Sequence, residues 1–310
     1  MRHLLIFNPT ARSGRCLGDL HYIRKEFGKR GIEHHLKSTR GKDHAIEIAY
    51  HGTISGDNDV LIALGGDGTI CEVITGIMRA IENGAPPVKM GVVHIGTSPD
   101  FNRYHGIPTD VLGQMDVIEK GATRWVDVGR VRYRSLDGSD VTSYFGSSVN
   151  LGLGSDIASR SNSRYRRFLG DTLGTLLSTL VSLANYKTSD LEAVIDGEVI
   201  RFTDLVNLTV GKDPHIASGM RVPIEMQEDS GEMYCLSVGS DSKLSLLVNL
   251  WRMYRGNILD YDGARLVYCR ELMAGPNVND KVEFDGDHRG SLPVRVDLVP
   301  RGLEVICGGR

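Results

Sequence analysis

The run Val60-Leu61-Ile62-Ala63-Leu64, followed at once by Gly65-Gly66-Asp67-Gly68-Thr69, constrains this chain more than any other segment. Five apolar residues in a row read as a strand buried on both faces, the texture of a parallel sheet. A helix follows the glycines directly, because Ile70, Val73, Ile74, Ile77, Met78 and Ile81 recur at helical spacing. A buried strand, a tight turn and an amphipathic helix need parallel neighbours to cover them.

The surrounding sequence supplies those neighbours. His3–Phe7 reads as a short buried strand, and Leu17, Leu20, Ile23 and Phe27 as one face of a helix ending near Gly31. Ile32–Thr39 is a second expected strand, followed by a helix over Asp43–Tyr50 capped by Asp43. Lys89–Ile95 is a further strand, leading through a polar loop to a helix over Val111–Lys120. Alternation of this kind implies an α/β fold, a doubly wound parallel sheet with helices on both faces.

After Gly121 the texture changes to short β segments. Strands are expected at Val126–Arg134, Ser143–Val149, Glu192–Ile195, Val199–Phe202 and Asp204–Val210. Others are expected at Met233–Val238, Arg265–Cys269, Lys281–Phe284 and Arg295–Leu298. Asp137-Gly138 and Asp196-Gly197 are turn signals, the latter read as a hairpin. Helical stretches interrupt the strands at Arg164–Tyr186 and Lys243–Tyr254. The expected division is residues 1–124 as the α/β domain and 125–294 as an antiparallel, sandwich-like β domain. The tail, about 295–310, is free to pack back on the first domain. Trp125 and Trp251 are most simply core.

A length of 310 residues is comfortable for two such domains. With 41% hydrophobic and 24% charged residues the chain has the balance of a soluble globular protein. A net charge of -3 argues against binding nucleic acid by bulk electrostatics. Cys16, Cys71, Cys235, Cys269 and Cys307 are scattered and form no CxxC pair, which points to reduced thiols in a cytoplasmic protein. The apolar N-terminal run is too brief for a signal peptide. The apolar stretch Thr172 to Ala184 falls short of the roughly 20 residues of a membrane span. Any membrane contact is therefore expected to be peripheral.

The chemistry concentrates on loops at strand ends. Glycines at 65, 66 and 68 let a backbone approach phosphate closely, and the amides opening the next helix favour an anion. Asp67 among those amides makes sense once a magnesium ion or a substrate hydroxyl is supplied for it. The bland alternative is an ordinary strand-to-helix turn. Two more loops follow neighbouring strands: Asn8-Pro9-Thr10 with Ser13-Gly14, and Gly96-Thr97-Ser98-Pro99-Asp100-Phe101. Loops at the carboxyl ends of an open α/β sheet converge on one crevice. The chain has no GxxxxGK[ST], no GxGxxG in strand–helix context and no HExxH.

These blocks resemble a known family. LGGDGTICEVITGI resembles the nucleotide-binding motif of the diacylglycerol kinase and sphingosine kinase catalytic domain. Asn8–Gly14 resembles the family's opening NPxSG, with two extra residues. Gly96–Arg103 and Gly106-Ile107-Pro108 resemble its GTGNDFAR–GIP block. Asp285-Gly286-Asp287, Gly290 and Leu292-Pro293 resemble its DGE–G–LP ending, and Ser218-Gly219-Met220 with Pro223 echoes a glycine-rich stretch between. The likeness spans nearly the whole chain and is nearest to the bacterial soluble lipid kinases.

The resemblance implies an ATP- and Mg2+-dependent kinase acting on the hydroxyl of diacylglycerol or a related lipid alcohol, in a cleft between two domains. It implies ATP contacts at Asn8, Pro9, Thr10, Gly14, Thr39, Gly65, Gly66, Asp67, Gly68, Thr69, Glu72, Gly96 and Thr97. Asp287 stands where the family has the glutamate taken as proton acceptor, with Asp285 and Asp67 as the other essential acids. A second magnesium is implied at a DDG-type turn that here reads Asp229-Ser230-Gly231-Glu232, with Asp229 as ligand beside Asp67 at the first. Three positions depart from the pattern: Ser98-Pro99 for Gly-Asn, Asp287 for glutamate, and Ser230 for an acid. They leave open a non-lipid alcohol as acceptor or a nucleotide-binding regulator with impaired catalysis. Arg160, Arg164, Arg166 and Arg167 beside the apolar Leu173–Leu183 segment read either as a headgroup-docking patch or as a solvated helix end. A peripheral membrane surface and a homodimer stay open as partners.

Overall fold

The computed structural model describes residues 1–14, 16–154, 185–216, 220–240, 242, 245, 249, 252–276, 281–284 and 287–308. The helix expected at Arg164–Tyr186, the arginine cluster before it, Ser218-Gly219, Trp251 and Asp285-Gly286 lie essentially outside these residues. The chain divides into two units, Met1–Val128 with Pro300–Arg310, and Gly129–Val299.

In the first unit, β1 (His3–Phe7), β2 (His34–Ser38), β3 (Val60–Gly65) and β4 (Lys89–His94) form a parallel sheet. Its order is β2-β1-β3-β4, and the last residues of the long terminal strand β16 (Asp287–Ile306) join β4 in parallel at Glu304↔Lys89 and Val305↔Met90. Every residue of β3 is buried, as an unbroken apolar run on a central strand requires. The helices are α1 (Leu17–Lys29), α2 (His44–Ile54), α3 (Asp67–Glu82), α4 (Asp100–Tyr104) and α5 (Val111–Lys120). Phe7, Ile23, Phe27, Ile62, Val93 and Met115 belong to one continuous core.

Helices α2 and α3 pack closely because Gly76 has no side chain. A Cβ there would lie 2.4 Å from the Ile46 carbonyl oxygen and 2.6 Å from Ala49 Cβ. The start of α2 differs from the sequence expectation. Asp43 stands at the N-cap position, but its φ is +64° and its side chain caps nothing. The Glu72 carboxylate of α3 does so instead, accepting from Asp43 N at 3.1 Å and Ala45 N at 3.2 Å.

The second unit is β-rich and antiparallel. It contains β6 (Asp140–Phe145), β7 (Ser148–Gly152), β8 (Ser189–Ile195), β9 (Glu198–Gly211), a minor ribbon β10 (His215–Ile216) with β11 (Met220–Arg221), and β12 (Met233–Gly239). β13 (Ala264–Cys269), β14 (Glu271–Ala274), β15 (Lys281–Phe284) and most of β16 complete it, and β5 (Thr123–Ser135) enters it from the first unit. The pairing β9-β7-β15-β16-β14-β8 returns to β9, so these strands leave few open edges. Asp196 (φ +48°) and Gly197 (φ +89°) form the β8–β9 hairpin turn read from the sequence, with Ile195 opposite Glu198. The Asp196 carboxylate also accepts from the Arg270 and Glu271 amides, tying that turn to β14. Trp125 is 36% exposed rather than core.

Candidate active site

The parallel register brings the carboxyl ends of β1, β3 and β4 level, with Phe7 opposite Leu64 and Gly65 opposite His94. Backbone bonds continue past the strand ends into the loops: Asn8 N to Leu64 O at 3.0 Å, Ile95 N to Gly65 O at 2.8 Å and Thr39 N to Phe7 O at 2.8 Å. The sheet thus carries Asn8, Thr39, Gly66 and Gly96 to one end, where ligands of open α/β sheets bind.

Two of these loops meet backbone to backbone. A Cβ built on Gly96 would fall 2.5 Å from Gly66 Cα, a contact real side chains do not make. Helix α3 begins directly behind, with Gly66 at its N-cap and no side chain capping the first amides. The Asp67 and Gly68 amides precede the first bond of the helix, Thr69 N to Gly66 O at 2.9 Å, and present partial positive charge, as an anion site needs. Gly65 is required for a different reason. Thr69 folds back over it, with Oγ1 only 2.4 Å from where a Cβ would stand.

Thr69 is in turn held by the first loop. Asn8 donates Nδ2 to Thr69 Oγ1 at 3.0 Å, while its Oδ1 accepts from Thr10 N at 3.0 Å and Thr10 Oγ1 at 2.8 Å. Asn8 therefore clamps the 8–10 turn to the start of α3. Gly14 has φ +86°, which closes the short 3-10 turn Ala11–Gly14. Thr39 is buried, whereas Thr97 and Thr10 are exposed. Glu72, one turn into α3, directs its carboxylate at the α2 amides as described above.

Asp67 occupies the first helical position, its side chain 24% exposed. Its Oδ1 is buried, and His94 Nε2 stands 3.5 Å away, long for a hydrogen bond. Burial pushes the Asp67 carboxyl above the usual carboxylate range, and Asp100 adds to the rise, while His94 and Arg103 oppose it. Asp100 is buried and accepts from Ser98 Oγ at 2.6 Å and Arg103 Nη1 at 2.8 Å. Pro99 costs little here. It is the N-cap of α4, a position whose amide the helix does not use, and its carbonyl accepts from Arg103 N at 3.0 Å. Asn102, fully buried, donates to Pro108 O at 3.1 Å and fixes the rest of the block.

Sequence reasoning passed over two residues of this site. His94 reads as the end of a buried strand, yet its ring faces Asp67. Gln114 of α5, also fully buried, accepts from His94 N at 2.6 Å and so holds the last residue of β4. A polar side chain on the apolar face of α5 was the available signal.

Asp287 is the first position of β16, its backbone opposite Phe284, and Asp285 lies outside the described residues. Gly290 is required by packing, since a Cβ would stand 2.1 Å from the Arg134 carbonyl oxygen. Asp229 is exposed on its turn. A groove of about 900 Å³ in the second unit, lined by Arg132, Tyr133, Glu192, Met273, Pro293 and Arg295 among others, takes in Pro293 of the DGE–G–LP block but none of the expected catalytic, nucleotide-binding or metal-ligating residues.

Comparison with known proteins places the chain. The model of the diacylglycerol kinase catalytic domain matches residues 2–131, and that of the YegS C-terminal NAD kinase beta sandwich-like domain matches residues 147–307. A diacylglycerol kinase of Staphylococcus haemolyticus is 25% identical over 305 residues, covering 97% of this chain and 86% of that protein. One from Staphylococcus aureus is 26% identical over 313 residues, covering 99% and 92%. The crystal structure of a diacylglycerol kinase from Bacillus anthracis has a TM-score of 0.71 at 18% identity, covering 99% of this chain and 97% of that one. Yeast NADH kinase complexed with NADH shares the fold more distantly, with a TM-score of 0.54 at 13% identity. With both family models matched in order along its length, the chain belongs to the diacylglycerol kinase family of lipid kinases.

Proposed function

We propose that this protein transfers the γ-phosphoryl group of ATP to the hydroxyl of diacylglycerol or a closely related lipid alcohol. The observation that carries the reading is the backbone contact of Gly66 with Gly96 beside the uncapped start of α3. Bare backbone and the Asp67 and Gly68 amides at the helix start suit a polyphosphate, and a side chain on either glycine would fill the space. Asn8, Thr10 and Thr69 frame the same end of the sheet.

Magnesium fits the donor set. Asp67 Oδ1 is a buried carboxylate oxygen without a hydrogen bond, and a second carboxylate, Asp100, is close enough to raise its pKa. Bound there, the ion would neutralise charge on the transferring phosphate. Asp67 would hold it or orient the acceptor hydroxyl, and the Gly66 and Gly68 backbone would cradle phosphate. In the transfer, the acceptor oxygen bonds to the γ-phosphorus, the bond from phosphorus to the ADP oxygen breaks, and the hydroxyl proton passes to Asp287. Asp285 would support that carboxylate. Being one methylene shorter than glutamate, Asp287 needs its acceptor closer or a bridging water.

The lipid acceptor implies peripheral contact with a bilayer, and among the described residues no helix is long and apolar enough to cross one. ATP as donor and five buried cysteines outside any disulfide support a cytoplasmic setting. The decisive experiment is γ-phosphate transfer from labelled ATP to extracted lipids with Mg2+, with Asp67→Asn and Asp287→Asn proteins alongside. A labelled lipid made only by the wild type supports the reading. ATP binding without labelled lipid, or label in a soluble alcohol, overturns it.

A further inference from the structure

The loop after β9 and the turn before β12 are joined by a lysine. Lys212, the first residue after β9, is only 3% exposed. Its Nζ donates to Ser230 Oγ at 3.0 Å. Ser230 belongs to the Asp229-Ser230-Gly231-Glu232 turn, where the family resemblance implies a magnesium ion. The hydroxyl accepts the ammonium and faces the Glu232 carbonyl at 3.5 Å, while the Ser230 amide donates to Gln227 O at 3.3 Å.

A divalent cation at such a turn needs several oxygens, at least one of them a carboxylate. Here the central position offers a hydroxyl, Asp229 is exposed, and no cluster of three or more acidic, histidine or cysteine residues among the described ones could hold a metal. An ammonium bonded to the central side chain puts positive charge where the ion's charge would go, and two cations there repel each other. The lysine is also firmly placed. Its amide donates to Ser147 O at 3.0 Å. The next residue, Asp213, is fully buried, accepts from His215 N at 2.7 Å, and its carbonyl accepts from Tyr234 OH at 3.1 Å. Asp213 and Glu228 are buried carboxylates on the two segments so joined, which suits a buried ammonium.

We propose that Lys212 replaces a divalent cation at the 229–232 turn, so that the β-rich unit is cross-linked by an internal ammonium rather than by magnesium. Lysine and serine form a matched pair, each making sense of the other.

The test is thermal unfolding of the full chain without nucleotide, in EDTA and in millimolar Mg2+ or Ca2+, carried out in the Asp67→Asn background to silence the first site. The melting temperature should change by less than about 1 °C on adding either ion. Lys212→Met should lower it by about 5 °C in all buffers alike. Lys212→Asn with Ser230→Asp should melt low in EDTA and recover with Mg2+ or Ca2+, because it exchanges the ammonium for a carboxylate site. Saturable stabilisation by either ion that Asp229→Asn removes would overturn the proposal, as would a folded double variant indifferent to cations. If the double variant does not fold, the cation titration of the Lys212 protein decides alone.

Discussion

Gly66 and Gly96 lie against each other so closely that a methyl group on the second would stand 2.5 Å from the Cα of the first. The Ile95 N to Gly65 O bond just before them holds the two loops level. Gly96→Ala should therefore weaken ATP binding at least about tenfold, equivalent to about 1.4 kcal/mol, and lower the melting temperature by several degrees. Gly18→Ala, on an open face of α1 with nothing within 4 Å, should leave binding unchanged and raise stability by about 0.5–1 kcal/mol. Calorimetric titration with ATP and thermal unfolding separate the two.

Asp67→Asn should abolish turnover while making the apo protein more stable. The folded-state carboxyl is raised above its unfolded value, so the native state binds that proton more tightly. The corresponding stability is fully present below the ordinary carboxylate value and is lost as pH rises through the folded one. The Asn variant escapes that loss. Its advantage in melting temperature should be larger at pH 7 than at pH 4, measured without nucleotide or divalent ions. His94, Asp100 and Arg103 face the group and stay in both proteins. Equal advantage at both pH values would contradict the assignment.

Glu72→Ala should cost about 1 kcal/mol, the usual loss for a removed helix cap. The reason is the pair of bonds to Asp43 N and Ala45 N, which no side chain of α2 itself replaces. Glu72→Gln, which keeps one acceptor oxygen, should recover part of that loss in urea unfolding.

The thiols should be silent in the native state. All five are buried, and burial pushes the Cys269 thiol up to about 12 and raises those of Cys16 and Cys235 as well. A disulfide reagent at pH 8 should find no rapidly reacting cysteine until denaturant is added. A fast native reaction of even one would count against the packing described.

The α/β half was largely legible because local pattern decides it. The Val60–Leu64 run could only be a central strand, and the helix over residues 67–82 followed from its apolar spacing. The β half was less so, because strands there change partners mid-course. Ser143–Val149 reads as one strand but is two, since β6 pairs with β5 and β7 with β9. The segment 199–210 reads as two but is one, kinked at Asp204 (φ +48°) where it passes from β8 to β7 and β12. Partner exchange leaves no periodic signature. At the site, glycine spacing announced the 65–69 and 96–97 loops. Nothing in the sequence announced that Glu72 would cap another helix, or that His94 would turn toward Asp67.

Strand β16 leaves the second unit after Val299 and finishes as a strand of the first, beside β4. Thr123 and Glu304 side chains bond at 2.6 Å, and Cys307 N donates to Ala122 O, sealing that edge. No contiguous stretch of the gene therefore encodes the whole nucleotide-side unit. A fragment ending near residue 128 would expose the flank of β4 that Leu303, Val305 and Ile306 help to cover. Recombination could not shuffle this unit as a cassette, and a nascent chain could not complete its sheet until residues 129–299 had already been made.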